Sequence, residues 1–257
     1  MSNPFDIGPE GHEPRDPMRS AESGRALPKR FYKAAAHERG ADGAYLIQLD
    51  GRPVKTPAKA VLAVAEQRVA AAIVAEWAAQ GTVIDPATMP VTRLANSAID
   101  GVAQNADAVR AEILNYAGTD LLCYRAGTPE RLVALQDDAW NPLIDWMHER
   151  FGARFLLAEG IVHVAQFPET IEAVDKALGA PDALELAALS TINTLTGSAI
   201  LTLAVLHGRL TAAEAWAAAH VDEDYEISLW GEDDEATARR EARWREFQAA
   251  ALVLGRD

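Results

Sequence analysis

The stretch LAALSTINTLTGSAILTLAVL, Leu186 to Leu206, runs for 21 residues without a charge. At about 1.5 Å per residue it could cross the hydrocarbon core of a bilayer. Its middle, STINTLTGS, argues against that. The hydroxyls and the Asn193 amide would give up water in lipid without gaining partners. The flanks also lack the aromatic and basic residues that anchor a span. The stretch is therefore read as a buried core helix, with no stable membrane insertion. A helix apolar all round belongs at the centre of a helical body.

On the C-terminal side, Thr211 and Glu214 form a T-x-x-E capping box. The helix they open is expected to run into HVDEDYEISLWGEDDEA, residues 220–236, and EATARREARWREFQAAALVL closes the chain as a last helix. On the N-terminal side, PETIEAVDKALG reads as a helix stopped by glycine, and RFLLAEGIVHV as a short strand or hairpin. A long helix precedes them. Thr128 is its expected N-cap and Pro129 its first residue, and Leu132, Leu135, Ala139, Leu143, Trp146 and Met147 share one side. Pro142 inside it is expected to kink or split it. VTRLANSAIDGV and ADAVRAEILNYAG read as a helix pair. Val69, Ile73 and Trp77 recur every four residues before Gly81, which marks another helix.

Upstream the period changes. Asp50-Gly51 separates two extended runs, and Pro53 and Pro57 disfavour both helix and central-strand pairing. Tyr45, Ile47 and Leu49 form the more apolar face of the first run. The expected fold class is α+β. A flexible arm (1–28), rich in Pro, Gly and charge, precedes a small antiparallel β domain (29–63) and a larger α-helical domain (64–257).

With 49% hydrophobic residues the chain can build a sizeable core. A formal net charge of −14 and a pI near 4.9 disfavour nucleic acid and anionic membrane as partners. The single cysteine, Cys123, lies between apolar neighbours and reads as a buried, inert thiol. No phosphate-cradling G-x-x-x-x-G-K-[ST], dinucleotide G-x-G-x-x-G or nucleophile-presenting G-x-S-x-G occurs, so no nucleotide or cofactor is expected. His148-Glu149 lacks the second histidine of a zinc helix, because Gly152 stands there.

The acidic segment 220–236 has three readings. Asp222, Asp224 and Glu226 imitate the first ligands of a calcium loop, but Ile227 stands where the turn needs glycine. A metal-dependent hydrolase using the carboxylates of 222–235 is the alternative function. On one continuous helix, Trp216, His220, Ile227 and Trp230 share a stripe with Glu223 near its middle. Asp222 and Asp224 flank it, and Tyr225 points the opposite way. Glu223 then either takes a buried salt bridge to Arg93 or Arg125, or sits on an exposed interaction face.

KRFYK (29–33), LDGRPVKTP (49–57), AEW (75–77), MPVTRLANSAID (89–100), DLLCYR (120–125), LQDDAWNPLIDWMHERFG (135–152) and DYEISLWGEDDEA (224–236) follow one another in that order. Together they make a chain that resembles the assembly chaperones of the F-type ATP synthase catalytic head. The likeness runs from Lys29 to about Leu252. It implies a β domain followed by a helical domain and a non-enzymatic role. The implied partner is the unassembled alpha subunit, held until the beta subunit replaces the chaperone. The implied partner-binding residues are Asp222, Glu223, Asp224, Tyr225 and Trp230, with Trp216, and Glu223 is singled out. Trp77, in the AEW motif, reads first as a core residue. The acidic N-terminus lacks a presequence, so a bacterial cytoplasmic protein is expected, or a mitochondrial matrix protein if a eukaryotic precursor has been trimmed.

Overall fold

The computed structural model describes residues 27–160 and 162–256. The expected arm lies almost wholly outside them.

The chain opens with a hairpin of β1 (Ala35–Arg39) and β2 (Tyr45–Leu49), antiparallel with Ala35 opposite Leu49. β3 (Arg52–Pro53) and β4 (Ala63–Val64) both pair with β2. Asp50 and Gly51 turn the chain from β2 to β3 with φ of 48° and 76°. Two consecutive left-handed residues are what a tight two-residue hairpin turn requires, and Asp-Gly supplies them at low cost. The Asp50 carboxylate accepts from the backbone N–H groups of Lys33 (3.0 Å) and Ala34 (2.8 Å), tying the lead-in segment to the turn. As the alternation predicts, Ile47 and Leu49 point inward and are buried.

Helices follow. α1 (Gln67–Ala78) buries Val69 and Ile73, and α2 (Pro90–Asp100) crosses to it. Met89, at the N-cap of α2, offers no side-chain acceptor. Glu76 reaches across from α1 instead, accepting from Val91 N (2.7 Å), Thr92 N (2.8 Å) and Thr92 Oγ1 (2.6 Å). The AEW and MPVT motifs are thus two halves of one helix cap. α3 (Ala106–Gly118) leads to β5 (Tyr124–Arg125), α4 (Glu130–Phe151) and β6 (Ala158–Glu159), which pairs parallel with β5. α5 (Pro168–Leu178), α6 (Ala183–Thr196), α7 (Ala199–Leu206), α8 (Ala212–Ala219), α9 (Val221–Trp230) and α10 (Asp234–Val253) complete the body.

Two expectations about α4 need correction. The helix starts at Glu130, with Pro129 rather than Thr128 as the cap residue, and no side chain caps it. It also runs unbroken through Pro142. The proline therefore does not split the helix, and Trp140 before it and Leu143 and Met147 after it are all buried.

The uncharged stretch is core, as expected, but as two helices. Gly197 ends α6 with φ 67°, and Ser198 caps α7, its hydroxyl accepting from Leu201 N at 3.0 Å. Every residue from Ala199 to Val205 is buried. Among the described residues no helix is long and apolar enough to cross a membrane. The two helices feed two buried clusters. Ala188, Ile192 and Val205 pack with Ile47, Leu62, Ile73 and Phe247, so the sheet shares its core with helices. Leu189 and Leu201 pack with Ile113, Trp140 and Met147 on the other side. Trp77 is partly buried and packs where the sheet-side clusters meet.

Candidate functional site

The acidic segment sits at the corner where α8, α9 and α10 meet. Thr211 and Glu214 cap α8 as expected, with Glu214 Oε2 accepting from Thr211 N at 2.8 Å. The expected continuous helix from 211 to 230 is not observed. It breaks at His220, whose φ of −116° and ψ of 20° take it out of the α region. The break resets the helical phase, so the stripe drawn through Trp216 and Trp230 does not exist.

Trp216 is only 9% exposed. Its ring lies 4.0 Å from that of His220, 5.3 Å from Trp244 and 5.5 Å from Phe247. His220 is buried too, and its Nδ1 sits 2.7 Å from the Trp216 carbonyl. A carbonyl only accepts, so Nδ1 carries the proton. Burial pushes the imidazole pKa down, favouring the neutral ring. Its Nε2 therefore turns a lone pair toward Glu223 Oε2 at 3.8 Å.

In α9 each carboxylate has a different job. Asp222, Glu223 and Asp224 occupy the first turn, where the helix dipole favours negative charge. Asp222 is exposed, and its carboxylate accepts from Gln136 Nε2 of α4 at 2.7 Å. Asp224 pairs with Arg240 of α10 at 2.5 Å, which raises the arginine pKa. Neither Arg93 nor Arg125 reaches Glu223: Arg93 pairs with Glu246, and Arg125 with Asp137 at 3.3 Å. Glu223 keeps 41% of its side chain exposed. Tyr225, expected to face away from the apolar stripe, is buried, with the Arg131 guanidinium 5.8 Å from its ring. The calcium-loop reading fails physically here, because residues 221–230 are helix.

Trp230 ends α9 and is 82% exposed, beside a half-exposed Leu229. Gly231, at φ 86°, turns the chain, and Asp233 caps α10 by accepting from Ala236 N at 2.8 Å. Between the helices lies a groove of about 370 Å³, lined by Glu223, Glu226, Ile227, Trp230, Asp233 and Arg240 among others. A second groove, of about 540 Å³, lies between α4, α8 and α9 over Ala139, Ala218, Val221 and Tyr225. The corner therefore offers aromatic and aliphatic surface rimmed by carboxylates, on helices fixed by internal bonds. Sequence reasoning missed Leu229 and Arg240 and read Glu226 only as a calcium-loop mimic. Leu229 was readable beside Trp230; the pairing of Arg240, sixteen residues beyond Asp224, had no local signal.

No arrangement for covalent chemistry accompanies this corner. Among the described residues no group of three or more His, Cys, Asp or Glu side chains could hold a metal ion. Cys123 is buried, and burial beside Asp120 pushes its thiol well above the usual range.

The chain is similar to known proteins along most of its length. Residues 29–148 match the family model of the ATP12 chaperone protein. The Atu1473 protein of Agrobacterium tumefaciens is 46% identical and superposes with a TM-score of 0.86, over 94% of this chain and 91% of that one. Atp12 of Paracoccus denitrificans is 38% identical with a TM-score of 0.81, over 89% of this chain and 97% of its own. The mitochondrial atp12 protein of Schizosaccharomyces pombe is 26% identical over 241 residues, 89% of this chain and 82% of that protein. A small sheet on a helical body, shared with these relatives over about nine-tenths of the chain, defines an assembly chaperone and not an enzyme. The chain belongs to the ATP12 chaperone family, the assembly chaperones of ATP synthase. That membership sets aside the metal-dependent hydrolase.

Proposed function

We propose that the protein binds the unassembled alpha subunit of F-type ATP synthase, covers the interface it exposes and yields it to the beta subunit. The observation that carries this reading is Trp230: a tryptophan 82% exposed at the end of a helix whose neighbours are carboxylates. An unassembled subunit exposes an interface that is apolar at its centre and polar at its rim. A temporary holder must match both and still let go. An aromatic tip supplies the apolar contact. The carboxylates of Glu223, Glu226 and Asp224 add on-rate and orientation more than affinity, which suits release.

In this reading Glu223 and Trp230 touch the partner, with Asp224 at the edge. Tyr225 and Trp216 act from beneath, and the exposed Asp222 holds α9 to α4 through Gln136. The relatives come from bacteria and a mitochondrion, and the bacterial cytoplasm is the compartment proposed here. The deciding experiment is co-purification with isolated alpha subunit, followed by addition of beta subunit. Alpha should be retained and then displaced by beta. An alpha subunit that passes through unretained sinks the proposal.

A further inference from the structure

Charge is segregated along this chain. Residues 27–63 carry seven lysines and arginines against three acids, in a protein whose net charge is −14. Four of its five lysines, Lys29, Lys33, Lys55 and Lys59, fall in that span. The three acids are occupied locally. Asp50 accepts from Lys33 N and Ala34 N, Glu38 accepts from Gln48 Nε2 at 2.7 Å, and Asp42 accepts from Ala44 N at 3.1 Å. Among the described residues Lys33, Arg52, Lys55 and Lys59 make no ion pair, and all four are exposed.

A groove of about 590 Å³ opens in this basic region. Phe31, Tyr32, Pro53, Val54 and Trp77 give it apolar walls; Arg52 and Lys55 line it too, together with Asp50, whose carboxylate is already held by Lys33 N and Ala34 N. Phe31 is 74% exposed and meets Tyr32 edge-on at 5.4 Å. Tyr32 is itself fixed, its hydroxyl donating to the Trp77 carbonyl at 2.6 Å and its ring 5.5 Å from the indole. The exposed phenyl thus stands on the fixed Tyr32–Trp77 pair, a preorganised contact surface beside unpaired cations.

We propose that this groove docks an acidic polypeptide segment of a partner protein, with an apolar side chain seated against Phe31 and carboxylates on Arg52 and Lys55. Charge complementarity selects the occupant. A basic segment would meet like charge here and find its match at the α9 corner instead. Two surfaces of opposite sign on one rigid chaperone fix the orientation of whatever it holds. The proposal is independent of the alpha-subunit reading, since it uses another element and the opposite charge.

The test is fluorescence anisotropy with the full chain and a labelled peptide in which leucines are spaced among glutamates. The peptide should bind, and binding should fall about tenfold or more in Arg52→Glu/Lys55→Glu and, separately, in Phe31→Ser. Trp230→Ala should leave it unchanged. All these side chains are exposed, and circular dichroism checks that each variant folds. Binding that survives the double charge reversal overturns the proposal. So does equally tight binding of polyglutamate, which would mean charge attraction without a groove. Sedimentation showing self-association lost in the double variant would reassign the surface to a second copy of this chain and likewise overturn it.

Discussion

Gln136 Nε2 lies 2.7 Å from Asp222 Oδ1, and the Oε1 of the same side chain accepts from Ala126 N at 2.8 Å. One buried amide thus clasps the β5–α4 connection to the first turn of α9. Gln136→Leu keeps the volume but leaves the Ala126 N–H without its acceptor and the exposed Asp222 carboxylate to water alone. The expected loss is about 1–3 kcal/mol, seen as a lower denaturation midpoint. Hydrogen exchange should quicken in α9 more than in α6, because the clasp is local. Uniform quickening would contradict this.

Trp230 and Glu223 should behave in the opposite way. Trp230→Ala removes a side chain with little packing, and Glu223→Lys alters a half-exposed carboxylate whose nearest ionisable neighbour is a neutral histidine 3.8 Å away. Both should leave stability within about 0.5 kcal/mol. Both should weaken alpha-subunit capture in a pull-down, Trp230→Ala by about tenfold, as for an aromatic hot spot. A folding defect in Glu223→Lys by circular dichroism would instead make Glu223 a structural residue.

Glu76 caps α2 with three accepted hydrogen bonds. Burial raises its pKa, so its charge is held at some cost that those donors offset. Glu76→Ala should cost about 1–3 kcal/mol, measured by urea unfolding, through loss of the cap and of charge-assisted bonds. A change under about 0.5 kcal/mol would show that water replaces the carboxylate.

Asp120 is fully buried and accepts from Ser198 Oγ (2.7 Å), Ile200 N (3.0 Å) and Leu122 N (3.1 Å). Burial nonetheless pushes its carboxyl from 3.8 up to about 6. The folded state therefore holds this proton more tightly than the unfolded chain does. The resulting stabilisation is full below about pH 4 and is lost as pH rises through about 6. Asp120→Asn removes the titration. Between pH 4 and 7 the wild type should lose up to about 3 kcal/mol relative to the variant. Parallel stability curves would refute this sign and size.

Much of the fold was readable because its signals are local. Asp50-Gly51 dictates a turn through its own backbone preferences, and Thr211 with Glu214 closes a cap within four residues. A second capping box, Asp182 with Glu185, was equally local and was passed over. The motifs that carried the family resemblance gained their physical meaning only in three dimensions. AEW caps MPVT through Glu76, DLLCYR holds α7 through Asp120 to Ser198, and LQDDAW clasps α9 through Gln136. Those pairs are 15 to 86 residues apart. No periodicity links residues at such separations.

By itself the sequence determined a small sheet before a helical body, the core role of Leu186 to Leu206, and an acidic, tryptophan-bearing segment near the end. Periodicity, turn chemistry and charge suffice for these, since each depends on neighbours in the chain. Only the tertiary structure decided which members of that segment face outward. The break at His220 carries neither glycine nor proline to announce it. Around it Trp216 and Tyr225 are buried, the exposed Asp222 and Asp224 are tied to Gln136 and Arg240, Glu223 stays half-exposed, and Trp230 stands in solvent. A helix's phase is inherited residue by residue until a break resets the count, and here the break falls where His220 packs tilted on Trp216, beside Trp244 of α10.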